Sequence, residues 1–136
     1  MSDSIRILGA ANRPQNEIVR WPEVPFAYHL HGITAKLVQQ GVAGNRTPYI
    51  QIASGSLIVL RQSLQTPITL INSTFQVTFA NGFSNITSSD GLTATAPLPR
   101  LIIAPSWTIT LAIVAAVALA DTIEEPLLLY TPVRAP

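Results

Sequence analysis

Apolar and polar residues alternate along most of this chain in short runs separated by turn signals, a pattern that predicts strands rather than helices. The longest run is Phe26 to Val38, where Phe26, Tyr28 and Leu30 share one parity and Ile33, Ala35 and Leu37 take the other. Side chains of a strand alternate between its faces, so the phase change near Gly32 predicts a bulge or bend. Further strands are predicted at Pro48 to Ala53, Leu57 to Arg61, Ile68 to Ile71, Thr74 to Ala80, Leu101 to Ile103, Trp107 to Val114 and Leu127 to Tyr130. Ser54-Gly55-Ser56 joins two of these as a hairpin, and Asn81-Gly82 carries a type I′ turn signal. Gln39 to Asn45 and Ser84 to Gly91 read as loops.

About eight strands at this spacing, eleven prolines and no amphipathic helix predict an all-β fold, an antiparallel β-sandwich of jelly-roll-like layout, over residues 21–131. Residues 1–20 read as an extended N-terminal arm, with Ile5-Arg6-Ile7-Leu8 a strand-like patch of its own and Asn12 to Asn16 a polar break. Residues 132–136 read as a C-terminal tail.

Leu101 to Ala120 holds twenty residues without a charge, enough by length to cross a bilayer. Pro105 would interrupt such a helix, and Ser106 to Thr110 is β-branched and alternating. Two buried strands joined near Ala115 to Ala120 account for the segment better, so no membrane partner is expected. The first ten residues carry Asp3 and no long apolar run, unlike a secretory signal.

Composition changes the picture in one respect. Charged residues make up only 11% of the 136 positions and the net charge is +1, against roughly 25% charged in an ordinary soluble domain. Thr, Ser, Gln and Asn stand in their place. A surface so poor in charge is weakly protected against association, which points to a subunit covered by neighbours. The eight basic residues are scattered, giving no phosphate-tracking patch and no expectation of nucleic acid. With no cysteine, disulfides and thiolate metal sites are excluded.

Candidate chemistry is sparse. His29 and His31 stand at i and i+2 on a strand, hence on one face, the spacing of a metal-binding pair that lacks further ligands nearby in sequence. A surface or subunit contact explains them better. Glu124-Glu125 are adjacent strand residues and face opposite ways, which does not suit an acid/base couple. Phosphate loops, nucleophile elbows and dinucleotide fingerprints are absent. Asn45, Asn72 and Asn85 begin glycosylation acceptor patterns that a Thr-rich chain produces by chance. Trp107 is in phase with Ile109, Leu111 and Ile113 and reads as core; Trp21 either covers an open end of the sandwich or reaches a neighbour. No catalytic residue, metal ligand or cofactor is therefore expected.

From Gly44-Asn45-Arg46-Thr47-Pro48-Tyr49-Ile50-Gln51-Ile52 through Leu57-Ile58-Val59-Leu60-Arg61, the chain resembles a group of small structural proteins of tailed bacteriophages. The resemblance continues through Ala96-Pro97-Leu98-Pro99-Arg100-Leu101-Ile102-Ile103-Ala104-Pro105, the strand Trp107-Thr108-Ile109-Thr110 and the strand Leu127-Leu128-Leu129-Tyr130, and so spans roughly residues 24 to 130. It departs at Ala118-Leu119-Ala120-Asp121, where the group often has a Gly-Asp turn. The resemblance implies a capsid decoration (cement) protein, a homotrimer on the virion surface that meets the major capsid protein and copies of itself and passes through the host cytoplasm during assembly. Candidate inter-subunit contacts are Ile5, Ile7, Leu8, Trp21, His29 and His31. Alternative expectations are a tail, baseplate or fibre-attachment protein, or a carbohydrate-binding sandwich presenting Tyr28, Tyr49 or Tyr130.

Overall fold

The computed structural model describes residues 4–41, 44–69, 71–114 and 121–133. The protein is an all-β sandwich, with two sheets closing on one apolar core. The larger sheet runs in the order β1 (Arg6–Gly9), β12 (Thr122–Pro132), β4 (Tyr28–Gln39), β7 (Ser73–Asn81), β9 (Thr93–Leu98), β8 (Ile86–Thr87), with β10 (Leu101–Ile103) beside β4 and β2 (Arg13–Pro14) beside β12. The smaller sheet runs β3 (Val19–Arg20), β11 (Trp107–Val114), β5 (Thr47–Ser54), β6 (Leu57–Ser63). All pairs are antiparallel except β7 with β9, a parallel pair that a jelly roll would not contain.

Alternation places the core. Leu30, Ile33, Ala35 and Leu37 of β4 face Ile50 and Ile52 of β5 and Ile109 and Leu111 of β11 across the sandwich, with Phe75, Val77 and Phe79 of β7 beside them. The expected phase change in β4 is there. Leu129 pairs with Gly32 but Tyr130 pairs with Leu30, so His31 is the extra residue of a bulge. The expected β5–β6 hairpin is there too. Its loop is Gly55-Ser56, with Gly55 at φ 59, the left-handed conformation that glycine adopts without strain at the first position of a type II′ turn.

Several expectations change. Among the described residues twelve strands are found rather than eight, because short pairings and β9 lack a strong apolar pattern. Ile68 makes only an isolated bridge to Arg46 in place of a strand over 68–71, and Leu70 lies outside the described residues. Asn81-Gly82 does not close a hairpin: only Gly82 has positive φ, Phe83 N donates to Ala80 O at 3.3 Å, and β7 takes β4 and β9 as neighbours. The proposed link between two strands at residues 115–120 falls outside the described residues. Among the described residues no helix is long and apolar enough to cross a membrane.

The segment read as an arm is built into both sheets. β1 and β2 pair with β12, and β3 pairs with β11. Val19 lies in the core, and Gln15 is buried with its Nε2 donating to Gln39 Oε1 at 2.8 Å and to Thr122 O at 3.2 Å. At this end of the sandwich sits a fully buried ion pair. Asp121 Oδ2 accepts from Arg46 Nε at 2.9 Å and lies 2.8 Å from Nη2, while Oδ1 accepts from Gln40 N at 2.7 Å.

Buried aromatic packing sets an alkaline limit on stability. Tyr28 and Tyr130 meet edge to face at 5.2 Å between ring centroids, and burial followed by repulsion from Tyr130 pushes the Tyr28 hydroxyl up to about 12 from 10.0. Above pH 10 an unfolded tyrosine releases its proton while folded Tyr28 keeps it. The native state then binds more protons, and stability falls with rising pH. Across the interval from about pH 10 to about pH 12 the loss amounts to roughly 2–3 kcal/mol. Urea unfolding at stepped alkaline pH measures it, and Tyr28→Phe removes most of the slope.

Candidate functional site

β4 changes partners along its length. Tyr28 to Leu30 pair with β10, whereas β7 takes over from Gly32 onward. The chain reaches β10 by leaving β9 at Leu98 and crossing the end of β7 through Pro99 and Arg100. The ladder is open where the exchange occurs, and a cavity of about 330 Å³ lies there, lined by His29, Leu30, His31, Asn81, Arg100 and Leu101. Asn81 Nδ2 donates to Leu30 O at 2.9 Å, across the open rung. That contact fixes the amide orientation, because a carbonyl can only accept. Asn81 Oδ1 is left buried with no hydrogen-bond partner.

The bulge turns His31 and Gly32 outward in succession. His31 Nε2 and Thr131 Oγ1 are hydrogen-bonded at 2.7 Å, the imidazole tautomer deciding which donates. His29 is exposed, and neither its side chain nor that of Arg100 makes a hydrogen bond or ion pair among the described residues. Among the described residues no carboxylate lines the cavity, and its ionisable side chains are basic.

An apolar groove of about 440 Å³ adjoins it, sharing His31 and Asn81. Antiparallel partners point to the same face, which puts Ile7, Leu129, Gly32 and Ala80 in one row across the outer side of the larger sheet. Gly32 and Ala80 form a low floor; Ile5 and Leu129 rise on one side and Phe83 on the other. A Cβ on Gly32 would stand 3.1 Å from Phe79 O and 3.3 Å from Ala80 Cβ. Gly32→Val is therefore expected to cost about 1–2 kcal/mol through overpacking, read as a lower urea midpoint, and to raise the groove floor.

Four of the six residues expected at contacts converge here. Ile5 and Ile7 are 59% and 64% exposed, and His29 and His31 line the recess. The other two turn inward. Trp21 is 3% exposed, with its Nε1 donating to Leu8 O at 3.2 Å, so it closes the sandwich against the chain's own first strand and offers no surface to a neighbour. Leu8 packs on the core. Arg100 and Phe83 were not singled out from sequence, and Asn81 only as part of a turn; Arg100 arrives by the crossing after β9, which has no sequence signature.

No protein-family model, curated protein or solved structure matches this chain. The site must be read from its own chemistry. Among the described residues no three His, Asp or Glu side chains group closely enough to hold a metal ion. His31 with Thr131 resembles a base with a hydroxyl, but among the described residues no carboxylate lines the recess to orient the ring. Glu124 and Glu125 do not act together: Glu124 accepts from Thr122 Oγ1, Glu125 pairs with Lys36 at 3.0 Å, and a second bulge separates them from Leu127. As for a glycan platform, Tyr28 and Tyr130 are buried, and Tyr49 is covered by Arg61, whose guanidinium carbon sits 4.4 Å from the ring centroid.

Proposed function

We propose that this protein is a non-enzymatic structural subunit, a decoration protein of a phage capsid, which attaches through the outer face of its larger sheet to the major capsid protein and to copies of itself. The observation that carries this reading is the grouping of exposed Ile5, Ile7 and Phe83 on that one face: Ile5 and Phe83 line the groove, and Ile7 stands in the row of Leu129, Gly32 and Ala80. Exposed apolar side chains scattered singly are ordinary, whereas a contiguous set on one sheet face marks a protein contact. The low charge of the chain supports it, since a covered surface does not need charge for solubility.

Ile5→Lys together with Ile7→Lys tests the reading. Both side chains are exposed, so the fold is expected to stay within about 0.5 kcal/mol of the parent. The parent is expected to sediment as a trimer and to pellet with phage heads that lack it; the double variant is expected to run as a monomer and remain in the supernatant. A parent chain that is monomeric at high concentration and does not pellet with heads would falsify the reading.

A further inference from the structure

We infer that the segment received by this face carries a carboxylate beside an apolar side chain: the carboxylate enters the basic recess at His29 and Arg100, and the apolar side chain lies on the Gly32–Ala80 floor. The inference rests on the docking role proposed above and specifies its partner. Charge complementarity supplies the first part. Among the described residues Arg100 and His29 have no ion-pair partner, and no acid lines the recess or the groove. A planar guanidinium offers paired N–H donors that match the two oxygens of a carboxylate.

The adjoining surfaces decide that the ligand is a polypeptide rather than an alkyl carboxylate. Asn81 lines both the recess and the groove, and its Oδ1 has no donor while its Nδ2 is held by Leu30 O, so a ligand N–H that reaches Oδ1 satisfies the amide without breaking that bond. An alkyl chain has no N–H to offer, whereas a peptide has one at every residue except proline. The far end of the groove is polar as well. Thr34 Oγ1 and Thr78 Oγ1 lie 3.1 Å apart, and Gln76 Nε2 donates to Thr34 Oγ1 at 3.3 Å. A hydrocarbon tail leaving the apolar floor would run into hydroxyls and an amide, and a peptide backbone would find partners there.

Isotope-labelled full-length protein is titrated with three probes: a blocked Leu-Asp-Leu tripeptide, its Leu-Asn-Leu counterpart and octanoate, with amide and imidazole chemical shifts as the readout. The acidic tripeptide is expected to shift His29, His31, Gly32 and the Asn81 side-chain amide, and to bind at least about tenfold tighter than the Asn counterpart. Arg100→Gln, at an exposed position with no hydrogen bond to lose, is expected to remove that preference, while Arg61→Gln on the other sheet removes the same charge and is expected to leave it intact. Equal binding of the two tripeptides, octanoate binding more tightly than the acidic tripeptide, or shifts elsewhere on the molecule would each overturn the inference. A protein that pellets with heads yet ignores all three probes keeps its docking role and loses this partner chemistry; one that binds the acidic tripeptide but never pellets keeps the site and loses the docking role.

Discussion

Asp121→Ala is expected to destabilise the protein by about 3–5 kcal/mol, because it strips the counter-charge from a fully buried guanidinium. Arg46 meets Asp121 through both Nε and Nη2, and its Nη1 donates to Gly44 O at 3.1 Å, so the cation is held in place and has no route to solvent. The same substitution releases Gln40 N, whose bond to Oδ1 is 2.7 Å long. For a chain of this length the loss corresponds to a fall in Tm of roughly 10–20 °C. The double variant Arg46→Met, Asp121→Leu is expected to recover much of it, since apolar side chains of similar volume carry no desolvation penalty. Thermal unfolding of the parent, the single and the double variant checks both statements. A single variant that melts within a few degrees of the parent would show that water reaches the pair.

Deleting residues 1–20 is expected to abolish cooperative folding. The deletion removes β1 and β2 from the edge of β12 and β3 from the edge of β11, leaving both with unpaired backbone groups. Val19 leaves the core, Gln15 leaves the buried end beside Asp121, and the Trp21 indole loses the Leu8 carbonyl. Several kcal/mol of apolar burial and hydrogen bonding disappear at once, comparable with the whole stability of a small domain. Near-ultraviolet circular dichroism during urea titration reads the outcome; a sharp transition in the truncated chain would return these residues to the status of an appendage.

The sequence made some of this architecture legible and hid the rest for physical reasons. The bulge in β4 was readable because a period of two leaves no other way for Leu30 and Ile33 both to face inward. The β5–β6 hairpin was readable because Gly55 permits the turn that the flanking strands need. β9 was not, since Thr-Ala-Thr-Ala-Pro-Leu is weakly apolar and earns its place only by lying parallel to β7. Asn81-Gly82 misled because a local turn signal yields when its strand already has neighbours on both edges. The buried ion pair joins residues 75 positions apart, and nothing around Arg46 or Asp121 marks either as a core residue. In the candidate site, the histidine pair and the apolar Ile5 and Ile7 were visible as residues to watch. The cation and amide that complete the recess were not, because only the partner exchange of β4 brings them there.

Because β12 sits between β1 and β4, the ribosome delivers the central member of that trio last. β4 and β1 leave the exit tunnel about ninety or more residues before the strand that pairs with both, and they wait with open edges meanwhile. Loops of that length close slowly, and open strand edges on a nascent chain are where misassociation begins. Synthesis of this protein therefore leaves a window in which a chaperone, or a neighbouring copy, can capture the unfinished sheet.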